Sequence, residues 1–279
     1  MDHFSLAAMQ LALPPGNNLA LISQKIRHAK ARFPWLNMLV LSELCIDGPS
    51  ITHAVAFPSQ AEQALQALAS ELNVWIVTGS QFEQADGQVY NTSSVINCQG
   101  QLLNRYRKLF PFQPYEQGVT PGRDFVVFDT PAGRIGLAIC YDLWFPEVAR
   151  ALVCMGAEVL LYPTMTGTID RAQELNMALA TAAMQQCYVV AVNGAGSHGN
   201  GQSIVVGPDG RCLHQAGENE EIIPLELDLG WVRRSRKRGL DNLGQPLKSF
   251  RDSQVVFPQY QQDSPLAALN DLGPLTIPD

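Results

Sequence analysis

Short apolar runs of strand length recur along the chain and alternate with segments of helical spacing, a pattern that restricts the fold to a layered α/β architecture. MLVLSEL (38–44), VWIVTGS (74–80), FVVFDT (125–130), RIGLAIC (134–140), EVLLYP (158–163), YVVAVN (188–193) and SIVVG (203–207) read as buried strands. Asn17 or Asn18 can cap a helix whose apolar positions are Leu21, Ile22 and Ile26, and Ala61, Leu65, Leu68 and Leu72 repeat at helical spacing. Pro146 suits a first helical turn, with Val148, Ala151, Leu152 and Met155 as its buried face, and a further helix fits between Asp170 and Gln186. NTSSVINC (91–98), the Gln99-Gly100 turn and QLLNRYRK (101–108) form a hairpin signal. Hairpins among such strands argue against a purely parallel sheet.

Bulk properties narrow the class. With 279 residues, 46% of them hydrophobic and 16% charged, the chain has ample material for an enzyme-sized core. No internal repeat or Ser/Gly-rich linker divides it, so one domain is expected over residues 1–260. Residues 261–279 read as an extended tail, since Pro265, Gly273, Pro274 and Pro278 disfavour a helix.

A net charge of -7 argues against binding a nucleic acid duplex, which needs a basic stripe, and points to small-molecule partners. The run Arg233, Arg234, Arg236, Lys237 and Arg238 reads as a solvated or oligomer-facing turn. Asp2 stands where a secretory signal carries Lys or Arg, and no run approaches the roughly 18 apolar residues of a membrane helix, so a cytoplasmic location with no membrane contact is expected. Asn91-Thr92-Ser93 fits a glycosylation sequon, which has no use without secretion. The cysteines at 45, 98, 140, 154, 187 and 212 include no Cys-x-x-Cys pair and sit in or beside apolar runs, as reduced thiols do. Histidines 3, 28, 53, 198 and 214 show no metal-ligand spacing, so no metal is expected.

Three reactive side chains end apolar strands: Glu43, Lys108 and Cys140. Strand ends gather along a sheet edge, where ligand crevices form. A thiol attacking an amide needs a base, a cation or N–H donors for the developing oxyanion, and an acid for the leaving nitrogen. Glu43 can be the base and Lys108 the cation, and burial beside a thiol would raise the Glu43 pKa toward neutrality.

The surrounding sequence adds to this. RYRKLFPFQPYEQGVTPG followed by FDTPAGRIGLAICYDLWFPEVARALVCMGAEVLLYP, with YVVAVNGAG and GQSIVVGPDGRCLHQAGE later, resembles the nitrilase superfamily of carbon-nitrogen hydrolases over about Phe4 to Tyr260. The resemblance implies Cys140 as nucleophile, Glu43 as general base and Lys108 as the cation that stabilises the tetrahedral intermediate. It also implies the Tyr141 N–H as a second oxyanion donor and Glu116 as a second glutamate that positions substrate or Lys108. No cofactor is implied. The implied fold is a four-layer αββα sandwich of two mixed β-sheets, paired with a second subunit as a homodimer or higher homo-oligomer, with the tail after Tyr260 across a neighbouring subunit.

Within that family the reading is an amidase or N-carbamoyl amide hydrolase working through a Cys thioester. A nitrilase, a non-hydrolytic binding protein of the same fold, and acyl transfer to an amine are the alternatives. Three departures stand out: no Pro precedes Glu43, the LFPF run replaces a His usual after the lysine, and Ala182-Ala183-Met184-Gln185 replaces an Arg-Ala-x-Glu pattern. None touches the triad.

Trp144 and Phe145, just past Cys140, are pocket candidates or core. Gly194-Ala-Gly196-Ser-His-Gly199 fits a dinucleotide fingerprint, but the strand SIVVG follows it where a helix is required. Gly201-Gln-Ser203-Ile-Val205 lacks the final Gly of a serine-hydrolase elbow. His198 reads as a surface histidine, with a Cys140 dyad as the other possibility.

Overall fold

The computed structural model describes residues 2–261 and 266–277. Two mixed sheets form its centre. The first has seven strands, in the order Glu221–Asp228, His3–Gln10, Met38–Val40, Trp75–Val77, Gln88–Ile96, Gln81–Ala85, with Leu102–Arg107 also paired to Gln88–Ile96. The second has six, in the order Cys212–Gln215, Ile204–Val206, Tyr188–Asn193, Val159–Thr164, Arg134–Leu137, Val126–Asp129.

Strand alternation dictates the layering, because successive side chains point to opposite faces. Along His3–Gln10, Ala7 and Met9 pack with Ile22, Ile26, Leu65 and Leu68 of the helices Leu19–Arg32 and Gln60–Leu72. Leu6 and Ala8 face the other way and join Ile135, Leu137, Val159 and Leu161 of the second sheet in a separate cluster. Beyond the second sheet, Leu152 of helix Pro146–Cys154 and Ala178 and Ala182 of helix Arg171–Gln185 close the last layer. The result is the expected αββα sandwich. Each fully buried Leu or Ile in these layers contributes about 1.5–3 kcal/mol, so burial between layers dominates the fold's stability.

Local departures from expectation have local causes. The strands at 38–44, 74–80 and 134–140 are shorter than their apolar runs, ending at Val40, Val77 and Leu137. The apolar stretch continues past each end because the turns there are buried as well. Gln81–Ala85, not expected, pairs antiparallel with Gln88–Ile96 across the Asp86-Gly87 turn, where both residues take positive φ. Helix Pro146–Cys154 buries Val148, Ala149, Leu152 and Val153, whereas Met155 caps it and is 44% exposed. The basic run is the last turns of helix Leu229–Arg238, not a turn. There Arg236 donates to the carbonyls of Ala157 (2.6 Å) and Gln186 (3.1 Å), and Arg233 pairs with Glu158. Short helices at Pro246–Asp252 and Ala267–Asn270 interrupt the C-terminal region, so the tail is not extended throughout; residues 262–265 and 278–279 of it lie outside the described residues. None of the six cysteines is in a disulfide, and no helix is long and apolar enough to cross a membrane among the described residues.

Candidate active site

The site lies where the two sheets meet, just past the carboxyl ends of their strands. Glu43 stands in the buried turn after Met38–Val40, and its N–H donates to the carbonyl of Thr164 at the end of a second-sheet strand (3.2 Å). Two backbone features hold that turn. Leu44 is left-handed (φ 48) with its N–H on the Ser80 hydroxyl (2.9 Å), and Gly79 packs so closely that a Cβ would lie 1.9 Å from the Ser42 carbonyl oxygen. Lys108 follows strand Leu102–Arg107. Its N–H donates to the Asn91 carbonyl (2.8 Å) and its own carbonyl accepts from Gly122 (2.8 Å). Cys140 opens the 3-10 turn Cys140–Trp144 at φ 45, a strained conformation for a non-glycine residue.

These elements bring Glu43, Lys108, Glu116 and Cys140 together. The Lys108 Nζ, 2% exposed, donates to Glu43 Oε1 (2.8 Å) and to Glu116 Oε2 (2.7 Å). An ammonium has three donors, so one remains. Asn91 Nδ2 donates to Glu43 Oε1 (2.8 Å) and to Glu116 Oε1 (3.3 Å), and the Phe112 N–H donates to Glu116 Oε2. Both donors to Glu43 land on Oε1, which leaves Oε2 open to take a proton. Burial pushes the Glu43 carboxyl above the usual range, with Lys108 opposing and Glu116 adding to the rise. Burial alone would lower Lys108, but Glu43 and Glu116 hold it well above its ordinary value. The Cys140 thiol is pushed up by burial and then by Glu43. The sulfur therefore rests as a thiol beside a carboxylate able to accept its proton.

The second sheet supports the thiol from the other side. Cys140 Sγ lies 3.8 Å from the Thr166 hydroxyl, which in turn reaches Glu174 Oε1 (2.9 Å). Arg171 donates to Glu174 Oε2 (2.9 Å) and to the Gln202 carbonyl (2.8 Å). Asn193 fixes the Thr166 backbone, accepting its N–H (2.8 Å) and donating to its carbonyl (2.9 Å). A Cβ at Gly199 would lie 2.8 Å from Asn193 Oδ1 and 3.1 Å from the Thr166 carbonyl, so the Gly-rich loop owes that glycine to close packing on this clamp. It leads into strand Ile204–Val206, with no helix for a pyrophosphate.

Asp142 ties the two halves. Its carboxylate accepts from the Ile139 N–H (2.8 Å), the Phe110 N–H (2.9 Å) and the Tyr106 hydroxyl (2.6 Å), linking the Cys140 turn to the Lys108 strand. Burial raises it to about 6 despite these donors. The Tyr141 N–H, in the first turn of a helix where donors have no intrahelical acceptor, makes no hydrogen bond among the described residues.

A cavity of about 90 Å3 opens onto Cys140, walled by Phe112, Tyr141, Trp144, Met165, Thr166 and Glu174, with Asp170 and Thr168 also lining it. Trp144 lines this space. Phe145 does not; it stacks on Phe110 (centroids 3.6 Å apart) and backs the wall. His198, expected at the surface, is 2% exposed, because the Gly-rich loop folds inward and its Nδ1 lies 3.0 Å from the Leu13 carbonyl. No hydrogen bond joins it to Cys140. Sequence reasoning missed the roles of Asn91, Thr166, Glu174 and Asn193. Asp142 was visible as the third residue of Cys-Tyr-Asp, but Thr166 and Glu174 carry no local signal.

An αββα sandwich that buries a thiol beside a carboxylate-held ammonium defines a class of thiol hydrolases. A family model described as carbon-nitrogen hydrolase matches residues 5–237, and the chain belongs to that family. It is 32% identical over 251 residues to an omega-amidase of Mus musculus, covering 82% of this chain and 90% of the relative. An omega-amidase of Saccharomyces cerevisiae is 30% identical over 237 residues, covering 76% of this chain and 81% of the relative. Among solved structures, a branch 10 nitrilase-superfamily member from Saccharomyces cerevisiae superposes with TM-score 0.78 at 30% identity, covering 85% of this chain and 94% of that one. An amidase from Nesterenkonia, of the same superfamily, superposes with TM-score 0.75 at 25% identity, covering 85% and 96%.

Proposed function

We propose that the protein hydrolyses a non-peptide carbon-nitrogen bond of a small amide or N-carbamoyl compound through a thioester on Cys140. The observation that carries this reading is the unspent third donor of Lys108 together with the free Tyr141 N–H, at a site that also holds a thiol and a carboxylate with one open oxygen. A tetrahedral oxyanion requires preorganised donors beside the nucleophile, and these two are left unspent at the site. The relatives named omega-amidase, and the Nesterenkonia amidase in complex with butyramide, favour amides over nitriles.

In this mechanism Glu43 takes the Cys140 proton as sulfur attacks the carbonyl carbon. Lys108 and the Tyr141 N–H hold the oxyanion, and Glu116 with Asn91 holds Lys108. Collapse breaks the carbon-nitrogen bond, and the proton on Glu43 goes to the departing ammonia or amine. Glu43 then removes a proton from water, which attacks the thioester and releases the acid and the thiol. The test measures ammonia release from a panel of amides and nitriles by wild type and Cys140→Ala. Turnover of amides that is lost in the variant supports the reading; a nitrile turned over faster than every amide overturns it.

The enzyme works as a homo-oligomer in a reducing, cytoplasmic setting. Six unpaired thiols support the compartment. An apolar groove lined by Phe125, Ala151, Met184, Phe250, Phe257 and Tyr260 lies on the Pro146–Cys154 and Arg171–Gln185 face, and Leu269, Leu272 and Leu275 of the tail are exposed, which supports a subunit contact by both. Removing residues 261–279 is expected to lower the mass seen in light scattering; an unchanged oligomer removes the tail from the interface.

A further inference from the structure

Resting on the reading of Cys140 as nucleophile, the hydrogen bonds beside its sulfur single out a further positioning residue. We propose that Glu174 fixes the Thr166 hydroxyl as an acceptor toward sulfur, so that Cys140 is held as a thiol between turnovers. Thr166 Oγ1 stands between the two groups, 3.8 Å from Cys140 Sγ and 2.9 Å from Glu174 Oε1. A hydroxyl has one proton to donate. Glu174 is buried and held by Arg171 on its other oxygen (2.9 Å), and a carboxylate so paired only accepts. The Thr166 proton therefore goes to Glu174, and oxygen lone pairs are what Thr166 offers to the sulfur.

The Thr166 backbone is pinned, so the residue cannot swing away: its N–H is on Asn193 Oδ1 (2.8 Å), and its carbonyl accepts from Asn193 Nδ2 (2.9 Å) and the Asn200 N–H (2.9 Å). Lone pairs suit an S–H donor and repel a thiolate. Of the other groups around the sulfur, burial, Glu43 and Glu174 oppose its charge, whereas Lys108 and the Met165 N–H favour it. Glu116 is committed to Lys108, Asp142 accepts three hydrogen bonds, and Asp170, which lines the same cavity, adds no cation. Thr166 differs from all of these, because a hydroxyl donates or accepts as its partner dictates, and its partner is Glu174. Deprotonation is thereby left to Glu43 at the moment of attack. The thiolate, which alkylating agents and oxidants consume, does not accumulate.

Glu174→Gln reverses this polarity. Arg171 only donates, so the amide of that variant must turn its oxygen to Arg171 and its N–H₂ to Thr166. Thr166 then accepts from the amide, and its own proton is released toward sulfur. A donor replaces an acceptor beside the thiolate. The lost negative charge acts in the same direction through space, and a second substitution, at Thr166, separates the two effects.

The test follows alkylation of Cys140 by iodoacetamide against pH, read by peptide mass spectrometry so that the exposed Cys154 and Cys212 do not count. Glu174→Gln is expected to move the alkylation pKa of Cys140 down by about one unit, roughly ten-fold in rate on the rising limb, the effect of one hydrogen bond to the charged form. In a Thr166→Val background the same change is expected to give at most about a third of that shift, because no hydroxyl is left to turn. A full shift in that background assigns the effect to charge alone and overturns the proposal, as does an unmoved profile in a folded Glu174→Gln enzyme. If Glu174→Gln does not fold, Thr166→Val by itself decides. Loss of an acceptor leaves the alkylation pKa where it is or lowers it, whereas a rise of about one unit shows that Thr166 donates to sulfur and sinks the idea. Failure of iodoacetamide to label Cys140 at any pH, or amide turnover retained by Cys140→Ala, would instead sink the reading of Cys140 as nucleophile, which keeps the two failures distinct.

Discussion

The two sheets contribute unlike halves to the site. The first supplies the charges, Glu43 and Lys108, with the Asn91 amide beside them and Glu116 from the following loop, bound to one another by hydrogen bonds of 2.7–3.3 Å and almost closed to water. The second supplies the thiol, in a strained backbone conformation, 3.8 Å from the Thr166 hydroxyl. In the charged half, catalysis and folding share the same interactions, because breaking a buried ion pair leaves an uncompensated charge. In the thiol half they are separable.

That contrast is open to direct attack. Cys140→Ala is expected to lower kcat by about 10^4-fold or more, as removal of a nucleophile does, while the urea midpoint stays near wild type. A large loss of stability would show that the thiol half is structural too. Glu43→Gln retains an Oε1 that can accept from Lys108 and Asn91, and Glu116 still pairs with Lys108, so it is expected to cost roughly 10^3-fold in kcat with a smaller loss of stability than the removal of Lys108. Comparable loss of fold and rate would contradict the open role given to Oε2. Because burial raises Glu43, the acid limb of the wild-type kcat/KM profile is expected above the ordinary glutamate range, with activity falling as pH drops through it.

Lys108→Met strands the buried Glu43 and the half-buried Glu116 and is expected to destabilise by about 3–5 kcal/mol in urea unfolding, unlike either change above. Asp142→Asn replaces an acceptor of three hydrogen bonds with a group that must turn an N–H₂ toward a donor, at a cost of about 1–3 kcal/mol. The sign of its pH dependence is distinctive. Its folded pKa of about 6 lies above the ordinary aspartate value of 3.8, so its contribution is full below 3.8 and is lost as pH rises through 6. Asp142→Asn should remove this component from the stability profile between those limits. Thr166→Val is expected to have the smallest effect, about ten-fold in kcat with rescue by Thr166→Ser, since one weak contact to sulfur is lost. No change would leave Thr166 as a pocket wall only.

Much of the first half was legible along the chain. Glu43, Lys108 and Cys140 each end an apolar run, and strand ends in layered folds meet along an edge, so a shared site followed from local pattern and from the family motifs around them. The α/β class was likewise readable from the spacing of strands and helices, whereas the αββα layering was an expectation of the family resemblance, and the strand His3–Gln10 at the centre of the first sheet was not read at all. What could not be read was anything set by approach between distant segments. Asn91 looked like a sequon, His198 like a surface residue, and Phe145 stood between pocket and core. Each was reassigned by packing that no window of sequence contains.

Residue pattern along the chain therefore determined the α/β class, and the family motifs carried the reaction class and the expected layers, since both are local in sequence. Tertiary structure alone decided that Lys108 is shared by two carboxylates and keeps one donor in reserve. It also decided that Thr166, Glu174 and Asp170 line one cavity with Phe112, Tyr141 and Trp144. Those facts depend on distances and burial between segments far apart in sequence, and distance in a low-dielectric interior sets charge, protonation and selectivity.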